Sequence, residues 1–133
     1  GSPPMNLIPG EVVIREDKLA MVFNADQTIP VPKGFANCVN EGQKIIFGFR
    51  ADDLMPEEHS LPILGEACHL RLTVDIAEPL GTETLLFSRF SGIDIQAKMF
   101  NPRLVKPGEV MNFNCALDKT HLFDAETGKS LRG

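Results

Sequence analysis

The feature that most constrains the fold of this chain is the spacing of its 11 glycines and 10 prolines. These residues interrupt the sequence so often that no segment carries a convincing helical stripe of apolar side chains. Between the interruptions lie short runs in which apolar and polar residues alternate, the pattern of a strand with one buried face. The sequence therefore predicts an all-β protein with at most short helices.

The clearest strand is predicted at residues 68–76, because every second residue in this run is apolar. One face of the strand is expected to be buried and the other exposed to water. The apolar face consists of Cys68, Leu70, Leu72, Val74 and Ile76. Further strands or hairpins are predicted at residues 11–15, 19–23, 44–50, 84–90, 93–99, 111–117 and 122–131, and one helical turn fits 51–58.

The predicted strands fall into two groups. Residues from about 65 to 133 contain five short strands, which is the strand count of an OB-like barrel. Residues from about 1 to 64 contain the remaining strands, which we expect to form a small β-sheet subdomain appended to the barrel. Because 133 residues is close to the commonest domain size, we expect both parts to share a core within a single domain, residues 1–133.

The composition argues against nucleic-acid binding and against a membrane span. Lysine and arginine number 13 against 18 aspartates and glutamates, and the net charge of -5 repels nucleic acid at long range. There is no Trp and no Tyr, the side chains that often provide stacking platforms for bases and sugars. No apolar run approaches the roughly 20 residues that cross a bilayer. We therefore expect a globular protein that binds no nucleic acid.

Three cysteines, Cys38, Cys68 and Cys115, are an odd number with no CxxC spacing. This pattern favours neither a disulfide framework nor a structural zinc site, and it fits a reducing cytoplasm. The chain also begins without Met and without a signal-peptide pattern, which favours a fragment or a processed product. Gly1 and Ser2 are either native residues or a cloning remnant.

The sequence contains no recognisable catalytic centre. It lacks the phosphate loop GxxxxGK[ST], the dinucleotide motif GxGxxG, the GxSxG nucleophile motif and the zinc motif HExxH. Cys68 and His69 are neighbours on a predicted strand, so they point to opposite faces and cannot chelate one metal ion. Cys115 and His121 could act as nucleophile and base, but no orienting third group is evident, and we favour a core cysteine and a surface histidine.

Two acidic segments are candidates for binding. The first consists of Asp52, Asp53, Glu57, Glu58 and Glu66, with no Lys or Arg between them. A cation or a basic partner would fit this patch, but it lacks the regular ligand spacing of a calcium loop, and a solvated loop is favoured. The second, residues 78–84, carries two carboxylates that suit a site mouth, although a Pro/Gly turn with solvated acids is favoured.

Four short motifs occur in one order over nearly the whole chain. They are GSPPMN at 1–6, GFRADDL at 48–54, EPLGTET at 78–84, and HLFD at 121–124 followed by TG at 127–128. Together they resemble the C-terminal regulatory region of ATP-binding subunits of bacterial sugar-type ABC importers, the maltose, trehalose and glycerol-phosphate group. That region contains the transport-associated OB (TOBE) fold. This chain has Ala51 where the family usually has a proline that would stiffen the turn.

The resemblance implies a regulatory and dimerisation domain without enzymatic activity of its own. The nucleotide-binding domain, which holds ATP and magnesium, would precede residue 1 in a parent transport ATPase, and this chain would bind no cofactor or metal. The implied partners are a second copy of the subunit, the membrane-spanning permease subunits through the nucleotide-binding domain, and regulatory proteins. The implied location is peripheral, on the cytoplasmic side of the bacterial inner membrane.

Partner contacts are expected in exposed loops of the barrel, since loops on a rigid scaffold commonly carry binding surfaces. The candidate residues are Glu78, Leu80, Thr82, Glu83 and Thr84 in the 78–84 turn, together with His121 and Phe123. The alternative function is that of a TOBE-type module for a small oxyanion such as molybdate. The sequence shows no plain cluster of Ser, Thr or Lys that would favour such a site.

Overall fold

The computed structural model describes residues 4–24 and 27–131, so Gly1, Ser2 and Pro3 of the first motif lie outside the described residues. The described chain is built from strands and short 3-10 helices, which confirms the predicted all-β fold class. The strands are β1 (Met5–Arg15), β2 (Lys18–Val22), β3 (Thr28–Pro30), β4 (Lys44–Arg50), β5 (Leu54–Pro56), β6 (Ala67–Pro79), β7 (Glu83–Phe90), β8 (Ile93–Phe100), β9 (Val110–Ala116) and β10 (His121–Asp124). The 3-10 helices are Lys33–Phe35, Ala51–Asp53, Glu57–His59 and Leu117–Lys119.

These strands form two antiparallel five-stranded sheets, with the orders β10-β4-β1-β2-β3 and β5-β9-β6-β7-β8. The expectation that all five strands after residue 65 form one barrel is wrong, because β10 pairs with β4 in the first sheet. Conversely, β5 comes from the first part of the chain and pairs with β9 in the second sheet. Each sheet therefore contains one strand from the other part of the sequence, and this exchange ties the sheets together.

Strand β6 shows where the alternating pattern holds and where it fails. Cys68, Leu72 and Val74 are buried, as the alternation predicts, and Leu70 is half-buried. The prediction that Ile76 shares this buried face is wrong, since its side chain is 59% exposed. A bulge between Val74 and Ile76 shifts the register with β7, which moves the side chains that follow to the opposite face.

Two-residue turns set the register of two hairpins. Glu16 and Asp17 join β1 to β2 with φ angles of 52° and 63°, and Ser91 and Gly92 join β7 to β8 with φ angles of 54° and 75°. Positive φ at both central residues is the requirement of a type I′ turn, whose twist matches that of the flanking strands. The predicted tight connection at residues 16–18 is therefore confirmed.

The two sheets share one hydrophobic core. The ring centroid of Phe23 lies 5.8 Å from that of Phe47 in β4 and 5.2 Å from that of Phe90 in β7. All three side chains are buried, and Phe23 contacts both sheets directly. The buried apolar residues of the described chain form one continuous cluster, so the sheets stabilise each other by burying a common set of side chains.

A side-chain amide also joins the sheets. Asn6 of β1 donates from Nδ2 to the carbonyl oxygen of Gln96 at 2.9 Å, and its Oδ1 accepts the Gln96 N–H at 2.9 Å. Gln96 lies in β8, the edge strand of the second sheet, whose backbone groups would otherwise be unpaired at this position. Asn6 is only 8% exposed and therefore closes this part of the edge against water and against another strand.

Candidate functional site

The predicted contact residues lie on two surfaces built by different sheets. Residues 78–84, which we call the hairpin tip, connect β6 to β7 in the second sheet. His121 and Phe123 lie in β10 of the first sheet. Their placement in a strand corrects the expectation of an exposed loop, and it arises because β10 pairs with β4 along His121–Asp124.

The hairpin tip is a tight turn with an exposed apolar side chain at its end. The Leu80 N–H donates to the Glu83 carbonyl oxygen at 2.8 Å, which closes the turn. Gly81 has a φ angle of 92°, a conformation that strongly favours glycine. Glu78, Leu80 and Thr82 are exposed, with 50% of the Leu80 side chain accessible to water. These three side chains can contact a partner without any change in the turn.

The other two predicted residues of the hairpin tip are engaged within the chain. Lys98 Nζ of β8 lies 3.4 Å from Glu83 Oε1 and 2.6 Å from Asp52 Oδ1. The hydrogen bond that Lys98 donates to Asp52 raises the pKa of Lys98, so its ammonium group stays charged between the two carboxylates. Thr84 is 4% exposed, and its side chain cannot reach a partner in this conformation. The accessible part of the tip is thus smaller than the sequence predicts.

His121 and Phe123 lie on the outer face of the first sheet and pack against each other. Their rings are stacked, with centroids 6.3 Å apart and an interplanar angle of 20°. Gly48 of β4, directly opposite His121, leaves the space that this packing requires. A Cβ atom on Gly48 would lie 3.2 Å from the Phe123 ring and 2.6 Å from the Met5 sulfur. The glycine of the second motif is therefore explained by close packing over its backbone.

Two residues of β1 that the sequence analysis did not select complete this surface. Leu7 pairs with Gly48 and is 49% exposed, and Met5 is half-buried beside it. We call the surface formed by Met5, Leu7, His121 and Phe123 the β10 face. The alternation of β1 marks Leu7 as outward-facing, but its neighbours depend on the long-range pairing of β1, β4 and β10. Such pairing is set by the whole fold and is not encoded locally.

The acidic patch is divided among separate partners. Asp52 is paired with Lys98, and Glu57 Oε1 lies 3.5 Å from His69 Nδ1. Glu66 accepts a backbone N–H at 3.0 Å through its carboxylate. Within residues 4–24 and 27–131, no group of three His, Cys, Asp or Glu side chains is placed to hold a metal ion. The patch therefore offers no metal site in this part of the chain.

A small cavity of about 190 Å³ lies beside the acidic patch, under the loop of residues 61–64. Asp53 lines it and is 8% exposed, and burial raises the pKa of its carboxyl group while nearby Lys119 lowers it. Asp118 also lines the cavity, and its carboxylate accepts the Glu66 N–H at 3.2 Å. The volume is below the roughly 300–1,000 Å³ of typical small-molecule sites.

The cysteines and histidines occupy separate environments. Cys68 and Cys115 are buried between β6 and β9, whereas His69 is exposed and its Nδ1 lies 2.7 Å from Asn114 Oδ1. Cys68 and His69 point to opposite faces of β6, as the alternation of the strand predicts. Cys115 is fully buried in the second sheet, while His121 lies on the outer face of the first, and the geometry favours a core cysteine and a surface histidine.

Comparisons with known proteins agree with the fold. Residues 1–54 match the family model described as the MalK OB fold domain. The oligosaccharides import ATP-binding protein MsmX of Bacillus subtilis is 28% identical over 139 residues, which cover 99% of this chain and 36% of that protein. The trehalose/maltose import ATP-binding protein MalK of Thermococcus litoralis is 29% identical over 136 residues, 98% of this chain and 35% of that protein. The chain therefore spans about a third of the length of these curated relatives.

A solved structure has the same fold at low sequence identity. The cytoplasmic molybdate-binding protein ModG, solved with molybdate bound, aligns with a TM-score of 0.61 and 13% identity. The alignment covers 88% of this chain and 94% of ModG, which supports the OB-like fold class. Separately, the described part of the chain contains no helix that is long and apolar enough to cross a membrane.

Proposed function

We propose that this chain is the regulatory and dimerisation domain of a sugar ABC importer ATP-binding subunit, because residues 1–54 match the MalK OB fold domain and nearly the whole chain is similar to such subunits. The observation that carries the proposal is the extent of the similarity, which covers 98–99% of this chain but only about a third of each relative. ATP and magnesium would then bind in another part of the parent protein, which would be a transport ATPase importing sugars or related solutes. This chain would itself be no enzyme.

The β10 face is the surface that best suits contact with a second copy. It combines apolar side chains on a rigid sheet, of which Leu7 is 49% exposed. An association between copies would bury Leu7 at the centre of this face, where an apolar side chain contributes most. The absence of Trp and Tyr, the commonest strong anchors, favours a contact of modest affinity.

The β8 and β10 edges favour contact through side chains over continued strand pairing. Asn6 closes part of the β8 edge. At the β10 edge of the first sheet, Phe123 is bridged to Ser130, and the Leu131 N–H donates to the Leu122 carbonyl oxygen at 2.9 Å. Both edges thus already have hydrogen-bonding partners, which leaves less backbone free to pair with another strand.

The remaining partners follow from the same proposal. Regulatory proteins would bind at the hairpin tip, where Glu78, Leu80 and Thr82 are exposed on a rigid turn. The permease subunits would contact the nucleotide-binding part of the parent. This domain would then be a peripheral element at the cytoplasmic side of the inner membrane.

Calorimetric titration of the chain with Mg-ATP should show no binding, since the phosphate-binding motif is missing from its sequence. Micromolar binding with turnover would contradict the proposal.

A pair of variants tests the dimerisation role. Leu7→Asn places an amide on the β10 face of both copies. It should raise the dissociation constant of the homodimer by about 10- to 100-fold, because each copy loses a half-exposed leucine side chain that the contact would bury. Leu104→Asn is the matched control, because Leu104 is 83% exposed and lies outside that face. Sedimentation velocity at several concentrations measures both. Equal dissociation constants for the two variants would mean that the β10 face is not the contact.

Oxyanion binding is the second candidate function. The fold similarity to molybdate-binding ModG favours it, with an alignment that covers 88% of this chain. The identity of 13% gives no support for the transfer of individual binding residues. Titration with molybdate and sulfate tests this candidate, and saturable molybdate binding would make it the preferred function.

A further inference from the structure

Cys68 and Cys115 face each other across two neighbouring strands. The register of β6 and β9 pairs the two residues directly. They are 8% and 0% exposed, so both thiols lie on the buried face of the sheet. The proposed regulatory function uses neither of them. Two adjacent thiols on a rigid sheet are a chemical feature distinct from the packing role of a single cysteine.

The ladder geometry places this pair within the reach of a disulfide. The Leu117 N–H donates to the Glu66 carbonyl oxygen at 3.0 Å, and these residues are the next opposed pair beyond Ala67 and Ala116. Hydrogen-bonded pairs recur at every second position of an antiparallel ladder, so Cys68 and Cys115 form the following one. Cα atoms of such a pair are about 5.5 Å apart, within the roughly 4.4–6.8 Å that a disulfide spans. Its Cβ atoms, about 5 Å apart in an open ladder, must approach by roughly 1 Å for the bond to close.

We propose that Cys68 and Cys115 are a redox-sensitive pair that closes to a reversible intrachain disulfide by exchange with a small-molecule disulfide. First, the Cys68 thiolate attacks one sulfur of the small disulfide, and the other sulfur leaves as a thiolate. Next, the Cys115 thiol loses its proton and attacks the Cys68 sulfur, which releases the second small thiolate. One disulfide is consumed and one is formed, and the two protons go to the released thiolates.

The two thiols differ in a way that assigns these roles. The side-chain interaction between the two thiols lowers the pKa of Cys68, whereas the same interaction and burial raise the pKa of Cys115. Cys68 is also the more accessible of the two, since it is 8% exposed and Cys115 is 0% exposed. Cys68 is therefore the residue that attacks first.

Formation of the disulfide between Cys68 and Cys115 would affect the second sheet, which carries the hairpin tip. Strand β9 lies between β5 and β6, and Cys115 is opposed by Leu54 of β5 as well as by Cys68. The covalent link would enclose β7, β8 and the hairpin tip in one loop. Loop closure of this kind lowers the unfolding equilibrium constant by on the order of 100-fold. Oxidation would thus make the second sheet more rigid and more resistant to unfolding.

The test uses Cys38→Ser, which removes the exposed third cysteine and leaves the buried pair. The folded variant is incubated with oxidised glutathione, quenched in acid, denatured, and analysed by thiol titration and peptide mapping. We expect its two thiols to disappear without retained glutathione, and a peptide linking Cys68 to Cys115. Dithiothreitol should restore both thiols, and the oxidised protein should unfold with an equilibrium constant about 100-fold lower.

Two further measurements control this experiment. Addition of Cys115→Ser to the same background should stop the reaction at a glutathione adduct on Cys68. If a variant fails to fold, peptide mapping of the unsubstituted chain under the same conditions shows whether the disulfide between Cys68 and Cys115 forms. The proposal is overturned if the folded chain keeps both thiols under conditions in which the urea-unfolded chain forms the bond. A disulfide that forms only between two copies would overturn it as well.

Discussion

Asn6 makes the contact whose loss should most clearly weaken the joint between the two sheets. Its amide group satisfies both the N–H and the carbonyl oxygen of Gln96, with each hydrogen bond at 2.9 Å. Asn6→Ala removes both partners at once and leaves two backbone groups of an edge strand without their hydrogen bonds. Asn6 itself is 8% exposed, so the substitution also leaves a small space between the sheets.

The expected cost follows from these two contacts. An unsatisfied buried donor or acceptor costs about 1–3 kcal/mol. Gln96 is half-buried, so water can partly replace the lost amide and keep the cost near the lower end for each group. We therefore expect Asn6→Ala to lower the unfolding free energy by about 2–4 kcal/mol. This is a large part of the 5–15 kcal/mol that typically stabilises a domain.

Urea unfolding followed by far-ultraviolet circular dichroism measures this change, because the chain has no Trp or Tyr for fluorescence. Asn37→Ala is the matched control, since Asn37 is exposed in a turn. A second variant, Asn6→Asp, keeps an acceptor for the Gln96 N–H but places a carboxylate oxygen against the Gln96 carbonyl. Its folded-state pKa should be raised, so its stability should fall as pH rises through that pKa. Equal unfolding midpoints for Asn6→Ala and Asn37→Ala would refute the reasoning.

Two further predictions concern strand β6 and the 3-10 helix Ala51–Asp53. Leu72 is 4% exposed, and Leu72→Ala should lower the unfolding free energy by about 2–5 kcal/mol, whereas Arg71→Ala on the exposed face should change it by about 0.5 kcal/mol or less in urea melts. Burial raises the folded-state pKa of Asp53, so its ionised carboxylate opposes folding as pH rises through that pKa. Asp53→Asn should therefore be more stable than the unsubstituted chain at neutral pH and lose this advantage in acid, and a pH-independent difference in melting temperature would contradict that assignment.

The local pattern of the sequence was sufficient to predict most of the strands. In β6, every second residue from Cys68 to Val74 is apolar, and a strand with one buried face follows directly from that spacing. The tight turn at Glu16 and Asp17 was also predictable, although neither residue is glycine. These features depend on neighbours within a few positions, which a single sequence records.

The features that were missed depend on contacts between distant residues. The exchange of β5 and β10 between the sheets joins Leu54 to Cys115 and His121 to Gly48, and no local pattern fixes such pairs. The bulge that exposes Ile76 interrupts the alternation without a glycine or proline to mark it. Likewise, the β10 face could not be predicted from the sequence, because no local pattern indicates which strands pair with β4.

Sedimentation equilibrium of the chain over a wide concentration range, with and without molybdate, tests the regulatory and dimerisation role most directly. The proposed role predicts a homodimer that dissociates on dilution and whose mass is unchanged by molybdate, because apolar side chains of the β10 face form the contact. A strictly monomeric species at the highest concentrations would contradict the dimerisation role. A tight dimer whose mass increases when molybdate is added would contradict it too, and would assign the domain to oxyanion binding.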